Sequence, residues 1–175
     1  MEILFNQKLA STMDLVGKVY ELYRKHQCDY VVIDRTGVGQ GVFDRIKEMG
    51  LPVRGVAFGE KSEDEMFQNL KAEWHWRVRK WLTSGGKLLY NVGWNEFEYV
   101  KYKNKDGKII IQPKEELFKD GIMSPNCVDA AVLTMVIDER GVKAQRIMQA
   151  NKGRPHYDAM DAIWAGESNA YPDQL

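Results

Sequence analysis

The stretch YVVIDRTGVGQG, residues 30–41, decides the fold class that the sequence predicts. Its first four residues form a short apolar run rich in β-branched side chains, which is typical of a buried strand. Asp34 follows this run directly. A turn is expected next, because three closely spaced glycines follow the aspartate: Gly37, Gly39 and Gly41.

Helix and strand patterns alternate on both sides of this stretch. Upstream, residues 2–6 predict a strand end, and Ser11 with Asp14 predicts a capped helix that runs to about His26. Downstream, the patterns predict a helix at 42–49, a strand at 52–58, a helix at 63–83, a strand at 86–91, a hairpin with arms at 96–102 and 108–112, a helix opened by Ser124 and Pro125, and a short helix at 157–165. This order favours an α/β domain with parallel strands at its centre.

Length and composition indicate one ordinary soluble domain. The chain has 175 residues, of which 44% are hydrophobic and 29% charged. No apolar run approaches the roughly 18–20 residues that a membrane helix needs, so no membrane association is expected. Cys28 and Cys127 lie far apart without metal-ligand spacing, which suits a reducing cytosol.

The charge pattern is compatible with a nuclease but does not by itself indicate one. The net charge is zero, whereas nucleic-acid binders usually carry a basic excess. An acidic active site would offset such an excess. Basic residues cluster at 71–80, 101–108 and 143–154. Each cluster is either a solvated face or a set of phosphate contacts.

Asp34 is the first candidate functional residue. Ligands of open α/β sheets bind outside the carboxyl ends of the strands, where Asp34 is expected to lie. The alternative is that its carboxylate only caps the turn by accepting from N–H groups near Thr36 and Gly37.

Asp129 is the second candidate. Its neighbours in sequence are apolar, and a carboxylate stays charged in such surroundings only with a partner: an arginine, a lysine or a metal ion. Alternatively, it is simply an acid favoured by a helix N-terminus. If Asp34 and Asp129 converge, a divalent cation would remove their repulsion, and oxygen ligands suit magnesium or manganese.

Four segments resemble, in order, motifs of the nuclease domain of phage large terminase subunits. Residues 33–41 resemble "ID..G.G.G", and residues 67–74 resemble "F.N.RAE.W". Residues 109–117 resemble "I.I.SKEEL", and residues 124–134 resemble "SPD.ADAL.LT". Their joint occurrence is more specific than any one of them.

The resemblance implies a ribonuclease H-like mixed sheet flanked by helices, lacking its first strands here. It implies an endonuclease that cuts concatemeric double-stranded DNA during packaging, with two divalent cations, Mg²⁺ or Mn²⁺. Asp34 and Asp129 match the second and third acids of the catalytic and metal-binding cluster. Lys114 matches a recurring lysine near the site, although an exposed surface lysine is the alternative, and Gly37 and Gly39 are possible supporting residues.

The resemblance also implies partners and a location. The partners are an ATPase motor domain of the same protein, a portal and a small terminase subunit. The location is the cytoplasm of the bacterial host of a phage or prophage.

Three departures limit what the resemblance implies. No segment matches the family's first acid, and Glu2 lies in the wrong context for that role. Asn126 replaces the aspartate of "SPD", and Lys71 replaces the arginine of "RAE", which loses the bidentate fork. We therefore expect a fragment with weak or no activity alone, in which residues 1–139 form a partial nuclease domain and residues 140–175 a tail.

Other functions stay open. A dinucleotide site is disfavoured because the glycine spacing is not G-x-G-x-x-G. Another ribonuclease H-like enzyme, such as a transposase or resolvase, is possible, as is a non-catalytic remnant that only contacts DNA or the packaging machine. We expect Trp74, Trp76 and Trp81 to be core or interface residues rather than a base-stacking surface.

Overall fold

The computed structural model describes residues 1–136. Their elements are α1 (Thr12–His26), β1 (Val31–Asp34), α2 (Gly39–Glu48), β2 (Val53–Val56), α3 (Leu70–Thr83), β3 (Tyr102–Lys105), β4 (Lys108–Ile111), α4 (Lys114–Lys119) and α5 (Asn126–Leu133). Short 3-10 helices lie at Val92–Glu98 and Thr134–Val136. The predicted α/β class is confirmed. The predicted tail at 140–175 and the helix at 157–165 lie outside the described residues.

The four strands form two pairs of opposite type. β1 and β2 are parallel, with Val31 opposite Val53 and Asp34 opposite Val56, and α2 makes the crossover that a parallel pair requires. β3 and β4 form the predicted antiparallel hairpin. Its turn residues Asp106 and Gly107 both have positive φ, as a type I′ turn requires.

The two faces of the parallel pair bury different cores. On one face, Val31 and Ile33 pack against α1 and α2 through buried residues such as Val16 and Ile46. On the other face, Val32 packs against α3 and α5, whose buried residues include Trp74, Val78, Val128 and Val132. Side chains alternate along a strand, so Asp34 belongs to the same face as Val32.

The predicted cap of α1 is confirmed, whereas the predicted start of α3 is wrong. The Ser11–Asp14 capping box of α1 is confirmed, with hydrogen bonds of 2.9 and 3.1 Å in the two directions. The helix predicted from residue 63 begins only at Leu70, where Asn69 Oδ1 accepts from Ala72 N. Ser62 cannot extend that helix because its hydroxyl accepts from Asp64 N and donates to Glu73 Oε2.

The N-terminus of α5 is capped from a distant part of the chain. Pro125 occupies the N-cap position that we predicted for Ser124, and proline offers no side-chain acceptor. Glu96 Oε2 accepts instead from Cys127 N at 2.6 Å and from Val128 N at 3.2 Å. This contact holds the start of the helix that carries Asp129.

Three predicted strand segments are wrong. Residues 2–6 and 86–91 form no strand, although Leu89 N donates to Met1 O at 2.9 Å. The first hairpin arm begins at Tyr102, because residues 92–98 form a 3-10 helix capped by Asn91. The amino group of Met1 also donates to Lys87 O at 2.6 Å. These two bonds at one terminal residue do not continue as a ladder, so neither segment forms a strand.

Candidate active site

Asp34 lies at the carboxyl end of β1, as predicted. Its Oδ1 accepts from Thr36 N at 3.0 Å and from Thr36 Oγ1 at 2.7 Å. This is the turn-capping role that the sequence left as an alternative. The bond orients the carboxylate without excluding a ligand, since the residue is only half-buried.

Two of the three glycines after Asp34 occupy positions that favour glycine for different reasons. Gly37 has φ of +62°, in the left-handed region that glycine adopts without strain. Gly39 has no room for a side chain, because a Cβ there would lie 1.8 Å from the backbone oxygen of Asp34. The turn therefore folds the start of α2 tightly against Asp34 and fixes the direction of the strand end.

Asp129 is buried and paired with two lysines. It is 9% exposed, on a helix whose other buried residues are apolar. Its Oδ2 lies 2.7 Å from Nζ of Lys114, and its Oδ1 lies 3.3 Å from Nζ of Lys71. Of the partners that the sequence left open, the structure thus shows lysine. We call Asp129, Lys71 and Lys114 the lysine–aspartate cluster.

The lysine–aspartate cluster carries one more positive than negative charge. Lys114 opens α4 and is 38% exposed at its side chain, while Lys71 lies on α3 and is 18% exposed. The Lys71 ammonium also lies 5.5 Å from the ring centroid of Phe58, a cation–π distance. An uncompensated ammonium near the surface attracts anions, and DNA phosphate is one.

His75 adjoins this cluster and was not among the predicted site residues. It is 9% exposed, and its Nδ1 lies 2.7 Å from the carbonyl oxygen of Lys71. Burial lowers its pKa to about 4, and the Lys71 and Lys114 ammonium groups act in the same direction. The imidazole is therefore neutral near pH 7. Because a carbonyl only accepts, Nδ1 donates and Nε2 is left as an acceptor.

Asp34 and Asp129 lie on the same side of the parallel pair. Asp34 shares the face of Val32, against which α5 packs, and Val128 beside Asp129 belongs to that core. Within residues 1–136, however, no three acids, histidines or cysteines lie close enough to hold a metal ion. Both oxygens of Asp129 also face ammonium groups. The described residues alone therefore do not fit a two-cation site.

The residues that surround the two acids differ in whether a sequence pattern could have identified them. Lys114 and Lys71 are visible through their matches to motif positions. The only signal for His75 is its i+4 spacing from Lys71 on a helix. Glu96 has no such signal, because it reaches α5 across 31 residues of chain.

Comparison with known proteins identifies a fold. No family model and no curated protein matches this chain. None of the helices within residues 1–136 has the length and apolar character that a membrane crossing requires. A similar solved structure is a mutant nuclease domain of the large terminase subunit of bacterial virus Sf6, with manganese and beta-thujaplicinol.

The similarity covers 74% of this chain and 74% of the Sf6 domain, with a TM-score of 0.60 and 18% sequence identity. At that identity the similarity establishes the fold. The chain therefore has the ribonuclease H-like α/β fold of a phage terminase nuclease domain, as its four motifs predict.

Proposed function

We propose that this chain is the endonuclease part of a viral DNA-packaging terminase, which cuts concatemeric double-stranded DNA. One observation carries the proposal. In a fold shared with a terminase nuclease domain, Asp34 ends β1 and Asp129 lies on the helix packed against the same face of β1. Both acids were predicted from motifs that are far apart in sequence.

Divalent cations, Mg²⁺ or Mn²⁺, are the proposed cofactors. The Sf6 domain was solved with manganese, and carboxylate oxygens suit either ion. A further acid from outside residues 1–136 is needed to complete such a site. Within the described residues β1 pairs only with β2, so its other edge offers backbone groups to an additional strand.

The lysine–aspartate cluster is the proposed phosphate contact. Lys71 and Lys114 pair with Asp129, and their excess positive charge would attract the DNA backbone to the same place. Lys114 is the more exposed of the two and the more accessible to a phosphate. Phosphate contacts of this kind carry no sequence readout.

A plasmid-cleavage assay with Mn²⁺ tests this function in a version that includes the upstream coding sequence. We expect Asp34→Asn and Asp129→Asn each to abolish cleavage, because each removes an anionic oxygen ligand. Glu48→Gln is the matched control, since Glu48 is an exposed acid on α2 whose ion pair within residues 1–136 is with Arg45. Undiminished cutting by either aspartate variant would overturn the assignment of the acids.

A catalytically incomplete module that only binds DNA or the packaging machine is the second candidate. It is favoured by the two lysines on Asp129 and by the lack of a three-ligand group within residues 1–136. Binding of plasmid DNA without Mn²⁺-dependent cleavage, in the longer version as well, would decide for it.

The proposed partners follow from the shared fold alone. They are double-stranded DNA, an ATPase motor domain of the same protein, a portal and a small terminase subunit, and the proposed location is the cytoplasm of a bacterial host. Copurification of the longer version with a portal is the corresponding measurement.

A further inference from the structure

A cavity of about 390 Å³ lies between α3, the 3-10 helix Val92–Glu98 and the β3–β4 hairpin. Its walls are mainly apolar and aromatic. They include the rings of Trp76, Phe97 and Tyr102 and the polar side chains of His75, Arg79 and Lys101. The hairpin forms one wall, so the turn at Asp106-Gly107 also shapes this cavity.

Two aromatic rings make a partly open platform in the cavity. The rings of Trp76 and Tyr102 meet edge to face, with centroids 5.4 Å apart and planes at 88°. Tyr102 is 56% exposed, so part of its ring is open to a ligand. Bases of single-stranded nucleic acid stack on such platforms whatever their identity, because every base has a π face.

One residue of the cavity wall carries a buried, unsatisfied acceptor. His75 lines it, is nine-tenths buried, and its Nε2 has no hydrogen-bond partner among the residues that the structure describes. Since Nδ1 donates to the carbonyl of Lys71, Nε2 accepts. A buried acceptor without a partner is costly. This atom is closed to solvent, so a ligand in the cavity does not contact it.

The charges that line the cavity are positive. Arg79 and Lys101 are its charged residues within the described chain, and the Arg79 guanidinium lies 4.5 Å from the ring centroid of Trp76. Lys105 and Lys108 flank the hairpin turn outside the cavity, next to Asp106, and Lys103 is paired with Glu116. Such a rim suits a phosphate backbone.

Helix α3 connects the cavity to the lysine–aspartate cluster. Lys71, His75 and Arg79 are spaced four residues apart, so they share one face of α3, and the outer two lie about 12 Å apart along the axis. A strand whose phosphate contacts the lysine–aspartate cluster would therefore reach the cavity within a few nucleotides.

We infer that this cavity binds one unpaired nucleotide of the DNA strand whose backbone contacts the lysine–aspartate cluster. The base stacks on the exposed ring of Tyr102, and a neighbouring phosphate pairs with Arg79 or Lys101. The inference rests on the proposed DNA function and adds to it that the strand is locally unpaired.

Fluorescence anisotropy with a labelled thymidine oligonucleotide in EDTA tests this, because chelation prevents cleavage. The comparison ligand is an abasic oligonucleotide with the same number of phosphates. We expect the abasic strand to bind about tenfold more weakly, since stacking contributes about 1–3 kcal/mol per base.

Tyr102→Ala should weaken thymidine binding about tenfold and leave abasic binding unchanged. Tyr90→Ala is the matched control, because Tyr90 is 95% exposed and does not line the cavity. Equal affinity for the thymidine and abasic strands, or equal effects of the two tyrosine variants, would overturn the inference.

The outcome is separable from that of the proposed nuclease function. Asp34→Asn should abolish cleavage and leave the thymidine preference intact, because Asp34 does not line the cavity. Binding of duplex and abasic strands alone would leave a DNA-binding nuclease without this nucleotide pocket.

Discussion

The carboxylate of Asp34 is bound by its own chain two residues away, whereas that of Asp129 is bound by lysines from two other helices. Asp34 is half-buried, and its hydrogen bonds form whenever the turn forms. Asp129 is buried, and its pairing requires α3, α4 and α5 to be packed together. Two acids with the same proposed role therefore depend on different levels of structure.

Alanine substitutions of the two acids should show the largest difference in unfolding free energy between the local turn at Asp34 and the tertiary packing at Asp129. Asp129→Ala leaves two partly buried ammonium groups without their counter-charge, and we expect it to lower the free energy of unfolding by about 3 kcal/mol. Asp34→Ala removes a local cap and should cost about 1 kcal/mol or less. Urea unfolding followed by circular dichroism measures both.

Equal destabilisation by the two alanine variants would show that the lysine–aspartate cluster is not a buried pair in solution. A second variant, Asp129→Asn, keeps the size of the side chain and removes its charge. It should be nearly as destabilising as Asp129→Ala if charge is the cause.

The next largest loss of unfolding free energy is expected from a substitution in the glycine turn that follows Asp34. Gly39→Ala places a Cβ 1.8 Å from the backbone oxygen of Asp34, so the start of α2 must shift. We expect a loss of about 2–3 kcal/mol, as for overpacking in a close-packed core. Thermal unfolding measures it.

Gly59→Ala is the matched control for this substitution. A Cβ at Gly59 meets nothing within 4 Å, so the change should be close to neutral. A Gly39→Ala variant as stable as Gly59→Ala would mean that the turn does not pack against Asp34 as described.

The third comparison concerns a pH dependence that arises at His75, next to Asp129. The pKa of His75 is lowered from 6.5 to about 4 in the folded protein, so protonation favours the unfolded chain. Its contribution is fully present above pH 6.5 and is lost as the pH falls toward 4. Between pH 6.5 and about pH 5 we expect a loss of about 1.5–2 kcal/mol, at up to about 1.4 kcal/mol per pH unit.

The control for this pH dependence is His75→Phe. Its unfolding free energy should be nearly flat across the same range, even if it is lower throughout. An equal slope in the wild-type chain and in His75→Phe would assign the titration to another group.

Local patterns gave reliable predictions where residues near in sequence decide the structure. The capping box of α1, the strand that ends at Asp34 and the Asp106-Gly107 turn all depend on contacts within a few residues. The strands predicted at 2–6 and 86–91 are wrong because a strand needs a partner ladder, and no local pattern encodes one.

The sequence by itself determined the α/β class and the turn after Asp34, and motif resemblance made Asp34 and Asp129 the candidate acids. These follow from side-chain periodicity, backbone freedom and residue identity, which are properties of short segments. The tertiary structure decided that Asp129 pairs with Lys71 and Lys114, that Glu96 caps its helix, and that His75 borders a cavity. Those contacts join residues far apart in sequence, and their formation depends on packing that no single segment specifies.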